Sequence, residues 1–345
     1  MGDWKWVDAG DLCVEGRGWS DTESLFDRLP KRAEPAVREV IWGLSRHSTG
    51  ISIRFTSDTE EIRVRWRLRF PELSANHTPI YAMSGLDLYA TTSSGEWRWA
   101  GFANEIAQES ESPLNQLGPF DGASHEFRLY LPLYNSVLSL QIGVPKGAAI
   151  ESVSPRPERP IAYYGTSIVH GAGASRAGMS QAAILGRRLD YPVLNLGFSG
   201  NAIMEPELAT FFAELDPAIY LLDPLPNMDA DIVETNAEKF VRILRRAHPD
   251  TPIVLMEDRS YPAAWITPVG RERNETSREA LKRVYANLIL DSGGPLHYIE
   301  GDALFGADGD GSNDGSHAND LGASRLVDTI EPLVRTLLDG KPARR

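Results

Sequence analysis

The stretch Tyr163-Tyr164-Gly165-Thr166-Ser167-Ile168 contains the transition that decides the fold of the C-terminal half. The apolar run that begins at Ile161 is typical of a buried β-strand, and it stops at a glycine. Small residues follow at 171–174, and a helical pattern comes after them. A strand that ends in a glycine turn before a helix exposes a hydroxyl among free backbone N–H groups. Ser167 is therefore a candidate nucleophile, although serine after glycine is also common in ordinary turns.

Outward from this stretch, residues 161 to 345 alternate short apolar runs with helical patterns. This alternation predicts a parallel β-sheet that is covered by helices on both faces. The predicted strands are 161–164, 193–196, 219–222, 253–256 and 296–299, and the predicted helices lie near 179–189, 205–215, 231–247, 276–291 and 320–338. In such sheets, functional residues gather at the carboxyl ends of the strands.

The first part of the chain has a different periodicity. From Ile62 to Phe70, apolar residues alternate with four arginines, which predicts a strand with one buried and one solvated face. Similar alternation recurs at 51–55, 127–131 and 138–142, and a hairpin pattern covers 86–99. Strands at this spacing predict an all-β sandwich of jelly-roll type. The proline-rich segment 145–160 predicts a linker between a β domain over 1–155 and an α/β domain over 156–345.

The composition of the chain restricts the classes of function. At 345 residues with 42% apolar residues, the chain is long enough for two domains with buried cores. A net charge of −13 argues against binding of nucleic acid and of anionic membranes. A single cysteine, Cys13, excludes an internal disulfide and a thiolate metal site. No apolar run approaches the ~20 residues that cross a bilayer, and no secretory signal is visible, so we expect a cytoplasmic protein.

Residues that suit nucleophilic catalysis follow the predicted strands in order. His317, placed just before the last predicted helix, is a base that can take the proton of a serine hydroxyl. Asp314, three residues earlier, can fix the tautomer of that imidazole and stabilise its charged form. Because these residues and Ser167 fall at one edge of the predicted sheet, we expect them to meet there.

The same sheet edge also offers hydrogen-bond donors for an oxyanion. Attack on an ester produces a tetrahedral oxyanion, which needs donors that are already in place. The Ser167 N–H, the Gly200 N–H and the Asn227 side-chain amide are donors of this kind. Gly197 remains an alternative to Gly200, and we expect Asn195 to brace the turn.

The order Gly-x-Ser, Asn-x-Gly-x-x-Gly, Asn and Asp-x-x-His resembles the four blocks of the SGNH (GDSL-like) hydrolase family, over 161–340. The stretch Gly85-Leu86-Asp87-Leu88-Tyr89 also resembles the GxDLY motif of the β domain that precedes one branch of these hydrolases. The resemblance implies a flavodoxin-like three-layer α/β/α domain after the β-sandwich, and serine esterase chemistry without a metal or other cofactor.

Residue by residue, the resemblance implies a nucleophile, a triad and an oxyanion hole. Ser167 would be the nucleophile and first oxyanion donor, Asp314 and His317 would complete the triad, and Gly200 and Asn227 would be the further oxyanion donors. Two positions depart from the family pattern. Thr166 stands where the family has an acidic residue, and 225–228 replaces a Gly-x-Asn-Asp block.

Four further residues are candidates for substrate contact because of their positions near strand ends: His170, Arg259, Tyr261 and Trp265. The alternatives are a polar loop residue at His170 and an ion-paired loop packed by aromatic rings at Arg259. The segment 306–315 resembles a calcium loop, but the sixth position counted from Asp308 is Asn313 rather than glycine, so we expect no metal.

Together these features predict an esterase that hydrolyses small acyl esters. The resemblance favours acetyl esters of carbohydrates, so the expected partner is a small-molecule or carbohydrate ester. Two alternatives remain: an acyltransferase that uses the same triad to acylate a small-molecule alcohol, and a carbohydrate-binding protein that has lost catalysis. The acyl group, the alcohol and the oligomeric state stay open at this point.

Overall fold

The computed structural model describes residues 3–59, 61–115, 123–291 and 294–340. Contacts divide the chain into two compact units. Unit 1 comprises Met1–Lys31, Ser45–Pro157 and Ala174–Met179, and unit 2 comprises Arg32–Leu44, Glu158–Gly173 and Ser180–Arg345. The main part of unit 1 ends at Pro157, close to the predicted boundary at 155/156, whereas 32–44 belongs to unit 2 and 174–179 belongs to unit 1.

Antiparallel β-strands make up most of unit 1. They are β1 (Trp4–Asp8), β2 (Cys13–Glu15), β3 (Ser52–Ser57), β4 (Arg63–Leu68), β5 (Asp87–Thr91), β6 (Trp97–Ala103), β7 (Glu109–Asn115), β8 (His125–Tyr130), β9 (Val137–Pro145) and β10 (Ile150–Ser152). Their hydrogen-bonded order is β1-β9-β4-β7-β6-β5-β8-β3-β10, with β2 on β3. The helices before residue 161 are α1 (Glu39–Ser45) and α2 (Ile80–Met83).

The two halves of this sheet share one hydrophobic core, which is what a sandwich requires. Trp66 of β4 and Ile142 of β9 lie in the same buried cluster as Phe55 of β3 and Leu129 of β8. The alternation along β4 leaves the arginines on the outer face, where Arg65 donates to Glu111 at 2.7 Å. The predicted β-sandwich is confirmed, and Arg63 and Arg65 of the arginine stripe form ion pairs on the outer face.

The GxDLY residues hold the segment 174–179 within unit 1. Asp87 is 1% exposed, and its Oδ2 accepts hydrogen bonds from Arg176 Nη1 at 2.7 Å and from the Gly178 N–H at 2.8 Å. The Tyr89 hydroxyl accepts a second bond from Arg176, also at 2.7 Å. A Cβ on Gly178 would lie 2.5 Å from the Tyr89 ring, so the fit requires glycine. The GxDLY motif therefore binds the segment 174–179 through the side chains of Asp87 and Tyr89.

A five-stranded parallel sheet forms the centre of unit 2. Its strands are β11 (Ile161–Gly165), β12 (Val193–Gly197), β13 (Ile219–Asp223), β14 (Ile253–Met256) and β15 (Leu296–Ile299), and its helices are α3 (Ser167–His170), α4 (Gln181–Leu189), α5 (Pro206–Phe212), α6 (Ala230–Ala247), α7 (Pro268–Asp291) and α8 (Asp320–Asp339). Helices α4 and α8 pack together, and α5, α6 and α7 form a second group. The strand order β12-β11-β13-β14-β15 is the flavodoxin-like order, which confirms the predicted α/β class.

Helix α7 and strand β10 differ from the sequence-based prediction of their segments. Helix α7 begins at Pro268 rather than near 276, because its first turns are mostly polar and show no apolar period, whereas proline suits a first helical position. Within the predicted linker, Ile150–Ser152 form β10, which pairs antiparallel with β3.

The register of the sheet aligns the ends of its central strands. Gly165 at the end of β11 lies opposite Gly197 on β12 and opposite Asp223 on β13. Loops that leave these three strands therefore start at the same level. This alignment brings residues that are distant in sequence to one edge.

Candidate active site

The turn that follows β11 places Ser167 at the start of helix α3. A Cβ on Gly165 would lie 2.4 Å from Val169 Cγ2 and 2.7 Å from the Asp223 carbonyl oxygen, so only glycine permits this tight turn. The Thr166 hydroxyl caps the helix by accepting the Ile168 N–H at 3.3 Å. Threonine therefore supplies a local capping function at the position where the sequence departs from Gly-Asp-Ser.

The structure brings Ser167, His317 and Asp314 into one hydrogen-bonded chain. His317 Nδ1 lies 2.7 Å from Asp314 Oδ2, and His317 Nε2 lies 2.9 Å from Ser167 Oγ. A proton on Nδ1 that is donated to the carboxylate leaves Nε2 as the acceptor that faces the serine hydroxyl. This is the geometry that a serine nucleophile and its base require.

The carboxyl of Asp314 is held in its charged form. Partial burial acts to raise its pKa, but hydrogen bonds from the His317 and Ser316 backbone N–H groups and from the His317 ring outweigh this effect. The net result lowers the pKa of Asp314 from 3.8 to about 2. A carboxylate at neutral pH can therefore orient the imidazole and stabilise the imidazolium.

The loop that presents His317 is fixed by side chains that the sequence analysis did not single out. Ser312 Oγ donates to the His317 carbonyl oxygen at 2.7 Å, and Asn313 Nδ2 donates to the Gly173 carbonyl oxygen at 2.9 Å. Both residue types commonly bond to nearby backbone in turns, which is the signal that could have identified them. Arg259 Nε adds a third restraint by donating to the Ser316 carbonyl oxygen at 3.1 Å.

Candidate oxyanion donors lie on the loops after β12 and β13. Gly200 has a φ of +68°, and a Cβ there would meet no atom within 4 Å, so its requirement for glycine is conformational. Asn227 Oδ1 accepts the Ala202 N–H at 3.3 Å. The NH₂ of the same amide is then the end that can donate to an oxyanion. The alternative, Gly197, donates its N–H to Asn195 Oδ1 at 3.0 Å. Asn195 therefore braces the β12 end, and the geometry favours Gly200 over Gly197.

Asp223 places a carboxyl at the same edge of the sheet, where a negative charge would oppose an oxyanion. Burial raises the pKa of Asp223 well above its ordinary value, with Arg259 opposing that rise and Asp258 adding to it. The low-dielectric surroundings thus disfavour its charged form. A neutral Asp223 would not repel the negative charge that develops on an oxyanion at this edge of the sheet.

Two of the four predicted substrate-contact residues are buried. His170 is fully buried, and its backbone packs directly against Gly197, so its side chain does not line the mouth of a site. The short helix α3 turns it inward, away from its predicted position. Arg259 is 2% exposed and pairs with Asp258. His170 is thus packed inside unit 2, and Arg259 contacts Asp258 and the Ser316 carbonyl oxygen, as the ion-paired alternative expects.

Tyr261 and Trp265, the other two candidates, line a cavity of about 540 Å³ at the ends of β14 and β15. Trp265 is 80% exposed, which is unusual for so large an apolar ring. Phe305 adds a third aromatic ring to the lining, and Arg271 and Asp302 add charged groups. The cavity therefore combines ring faces with hydrogen-bonding groups.

The acidic segment before Asp314 makes internal contacts. Asp308 accepts two bonds from Arg325, both at 2.7 Å, and the Asp310 N–H at 3.0 Å. In the described part of the chain, no group of three or more His, Cys, Asp or Glu residues is arranged to hold a metal ion. Nor does any helix there have the length and apolar character to span a membrane.

The five-stranded parallel sheet with its helices, preceded in the chain by a β-sandwich, defines the class of protein, an SGNH-type α/β fold with an N-terminal β domain. The model of the GDSL-like lipase/acylhydrolase family matches residues 158–335, and that of the N-terminal domain of SGNH-hydrolase-type esterases, GxDLY, matches 4–150. The chain belongs to the GDSL-like lipase/acylhydrolase family and is a carboxylic ester hydrolase. No curated protein sequence matches it.

Solved structures show the same two-part organisation over nearly the whole chain. A protein assigned as a GDSL-like lipase from Bacteroides ovatus ATCC 8483 is 31% identical, with a TM-score of 0.92 and coverage of 99% of this chain and 100% of that one. The salicylyl-acyltransferase SsfX3 of a tetracycline biosynthetic pathway is 19% identical (TM-score 0.76, 99% of both chains). A family two carbohydrate esterase from Cellvibrio japonicus is 14% identical (TM-score 0.63, 98% and 99%). The last two likenesses establish a shared fold.

Proposed function

We propose that this protein is a serine esterase that removes small acyl groups, acetyl above all, from carbohydrate esters. The observation on which the proposal chiefly rests is the hydrogen-bonded chain from Ser167 Oγ through His317 to Asp314, with separations of 2.9 and 2.7 Å. That chain lies at the carboxyl edge of the sheet, where the loops with the candidate oxyanion donors also begin.

In the proposed first half-reaction, Ser167 Oγ attacks the acyl carbon while His317 Nε2 takes its proton. The carbonyl oxygen becomes the oxyanion, which accepts hydrogen bonds from the Ser167 and Gly200 N–H groups and the Asn227 amide. Collapse breaks the bond to the alcohol oxygen, which leaves with the proton from His317. The product of this step is an acyl-Ser167 ester.

In the second half-reaction, His317 takes a proton from water as that water attacks the acyl carbon. Collapse of the second tetrahedral intermediate returns the proton to Ser167 Oγ and releases the free acid. Asp314 stays ionised throughout, because its pKa of about 2 lies far below neutral pH. No metal takes part in this scheme.

For the alcohol part of the substrate, we assign the cavity lined by Tyr261 and Trp265. Strands β14 and β15 lie two and three positions from β11, and strands are spaced ~4.8 Å apart, so the cavity lies roughly 10–14 Å from the Ser167 strand. An exposed indole ring beside charged groups suits the apolar face and hydroxyls of a sugar. The family two carbohydrate esterase shares this fold, which supports a sugar ester as the substrate class.

The second candidate function is acyl transfer to a small-molecule alcohol, favoured by the shared fold with the salicylyl-acyltransferase over 99% of both chains. The two functions differ only in what attacks the acyl-enzyme. The test is product analysis with acetylated oligosaccharides as acyl donors, with and without candidate acceptor alcohols. Free acetate as the main product supports the esterase, whereas new ester in excess of free acid would replace it by the transferase. Absence of either product, with Ser167 unreactive, would leave the catalytically inactive carbohydrate-binding alternative.

A further inference from the structure

The segment 32–44 belongs to unit 2, although it lies in the sequence between parts of unit 1. It is also outside residues 158–335, which the hydrolase family model matches. Two arginines of this segment form ion pairs with unit 2: Arg32 with Glu214 and Arg38 with Glu205. The segment is therefore an additional part of unit 2. The contacts of its two arginines differ in the glutamate that each one pairs with.

Arg38 binds both ends of the loop that follows Gly200. Its Nη1 donates to Asn201 Oδ1 at 2.8 Å, its Nη2 donates to the Asn201 carbonyl oxygen at 3.0 Å, and its Nε pairs with the Glu205 carboxylate. A guanidinium is a rigid planar fork, so three simultaneous bonds fix the separation and orientation of what it holds. This one side chain therefore bonds to both ends of the span from Asn201 to Glu205.

This span has a conformation that needs external restraint. Met204 has a φ of +55°, a region that a residue with a Cβ seldom occupies unless its surroundings impose it. Its N–H donates to the Tyr164 hydroxyl at 3.1 Å, and Asn236 Nδ2 donates to the Ile203 carbonyl oxygen at 2.8 Å. Arg38 adds further restraints at the two ends.

Both loop-borne oxyanion donors depend on the position of this span. Gly200 immediately precedes Asn201, whose side chain and carbonyl oxygen Arg38 holds, so a shift of the backbone at Asn201 would also move Gly200. The Ala202 N–H donates to Asn227 Oδ1 at 3.3 Å, which sets the side of Asn227 on which the amide NH₂ lies. A shift of this span therefore moves both donors together.

We propose that Arg38 is a positioning residue for the oxyanion hole, acting through the span from Asn201 to Glu205. The proposal rests on the esterase function proposed above. Arg38 acts on the transition state through the loop and not through the substrate. Its loss is thus expected to lower kcat and leave KM little changed.

The test compares Arg38→Ala with Arg32→Ala in full-length protein. The control removes an arginine of the same segment that pairs with Glu214 rather than with Glu205. With an activated acetyl ester, we expect Arg38→Ala to lower kcat by roughly 10- to 100-fold, since a misplacement of about 1 Å can cost 10². Affinity for a boronic acid that forms a tetrahedral serine adduct falls by a similar factor, and Arg32→Ala changes neither.

Arg38→Lys keeps the proposal testable if the alanine variant does not fold. Lysine preserves the charge near Glu205 but cannot reproduce the planar fork toward Asn201, so kcat falls while the melting temperature stays near wild type. Equal kcat values for the Arg38 and Arg32 variants would overturn the proposal. So would a rise in KM with unchanged boronate affinity. Either result leaves the esterase function standing, because that function is tested separately at Ser167.

Discussion

Replacement of Asn227 by alanine tests the oxyanion hole with a magnitude that follows from the structure. The side chain has two ends with separate tasks: Oδ1 accepts the Ala202 N–H at 3.3 Å, and the NH₂ is the proposed donor to the oxyanion. Alanine removes both. Loss of one oxyanion donor costs about 2.7–4 kcal/mol of transition-state stabilisation, which lowers kcat by roughly 10²–10³.

The lost bond to Ala202 has a smaller and separate effect. One neutral hydrogen bond contributes about 0.5–1.5 kcal/mol to stability, so the free energy of unfolding of Asn227→Ala should fall by about 1 kcal/mol. The two effects appear in different measurements. Kinetics with an activated acetyl ester report the first, and urea unfolding reports the second.

Asn227→Asp provides a matched comparison at the same position. Aspartate keeps an oxygen that can accept the Ala202 N–H but replaces the donor by a negative charge that faces the oxyanion. We expect its kcat to lie below that of the alanine variant. A KM that rises while kcat stays near wild type in Asn227→Ala would refute the reasoning, because it would make Asn227 a ground-state binding residue.

Three further predictions concern Asp314, twice, and the glycines at 197 and 200. Asp314→Asn should lower kcat by roughly 10⁴, because the amide favours the wrong tautomer of His317; hydrolysis rates near wild type would contradict this. Because the folded-state pKa of Asp314 is lowered from 3.8 to about 2, its contribution to stability is present above pH ~4 and lost as the pH falls toward 2. Urea midpoints should therefore fall more steeply for wild type than for Asp314→Asn across that interval. Gly197→Ala would place a Cβ 2.2 Å from the His170 backbone nitrogen and should destabilise the fold by about 1–3 kcal/mol or more. Gly200→Ala, with a φ of +68° but open space, should cost roughly 1–2 kcal/mol; a reversed order in thermal unfolding would show that the contact at Gly197 does not limit packing.

Much of unit 2 could be predicted from sequence because its signals are local. Each buried strand is a short apolar run, and the observed bounds of β14 and β15 coincide with the predicted ones. Parallel strands of one sheet end at one edge, so residues that follow different runs meet there. For this reason Ser167, Asp314 and His317 could be placed together before any distance was known.

The contacts that sequence did not reveal are those between distant segments. The pairing of Arg38 with Glu205 joins residues 167 positions apart, and neither residue belongs to a recognisable motif. The same applies to Asp87 and Arg176, whose contact assigns 174–179 to unit 1. Periodicity describes each element alone, whereas these pairs depend on how whole segments pack.

Burial at strand ends was the other property that sequence could not supply. His170 and Arg259 follow strands in the same way as Tyr261 and Trp265, yet the first two are buried and the last lies 80% exposed. A residue that follows a parallel strand lies at the carboxyl edge of the sheet. The local path of the backbone then determines whether its side chain faces solvent. At His170, the short helix α3 directs the side chain into the interior.

Covalent labelling by a fluorophosphonate at neutral pH, followed by peptide mass spectrometry, tests the central claim most directly. We expect one phosphonyl group on Ser167 in wild type, no labelling in Ser167→Ala, and strongly slowed labelling in His317→Ala, with all three proteins folded. A folded wild type that stays unlabelled, or that carries the label on another serine, would contradict the assignment of Ser167 as the nucleophile.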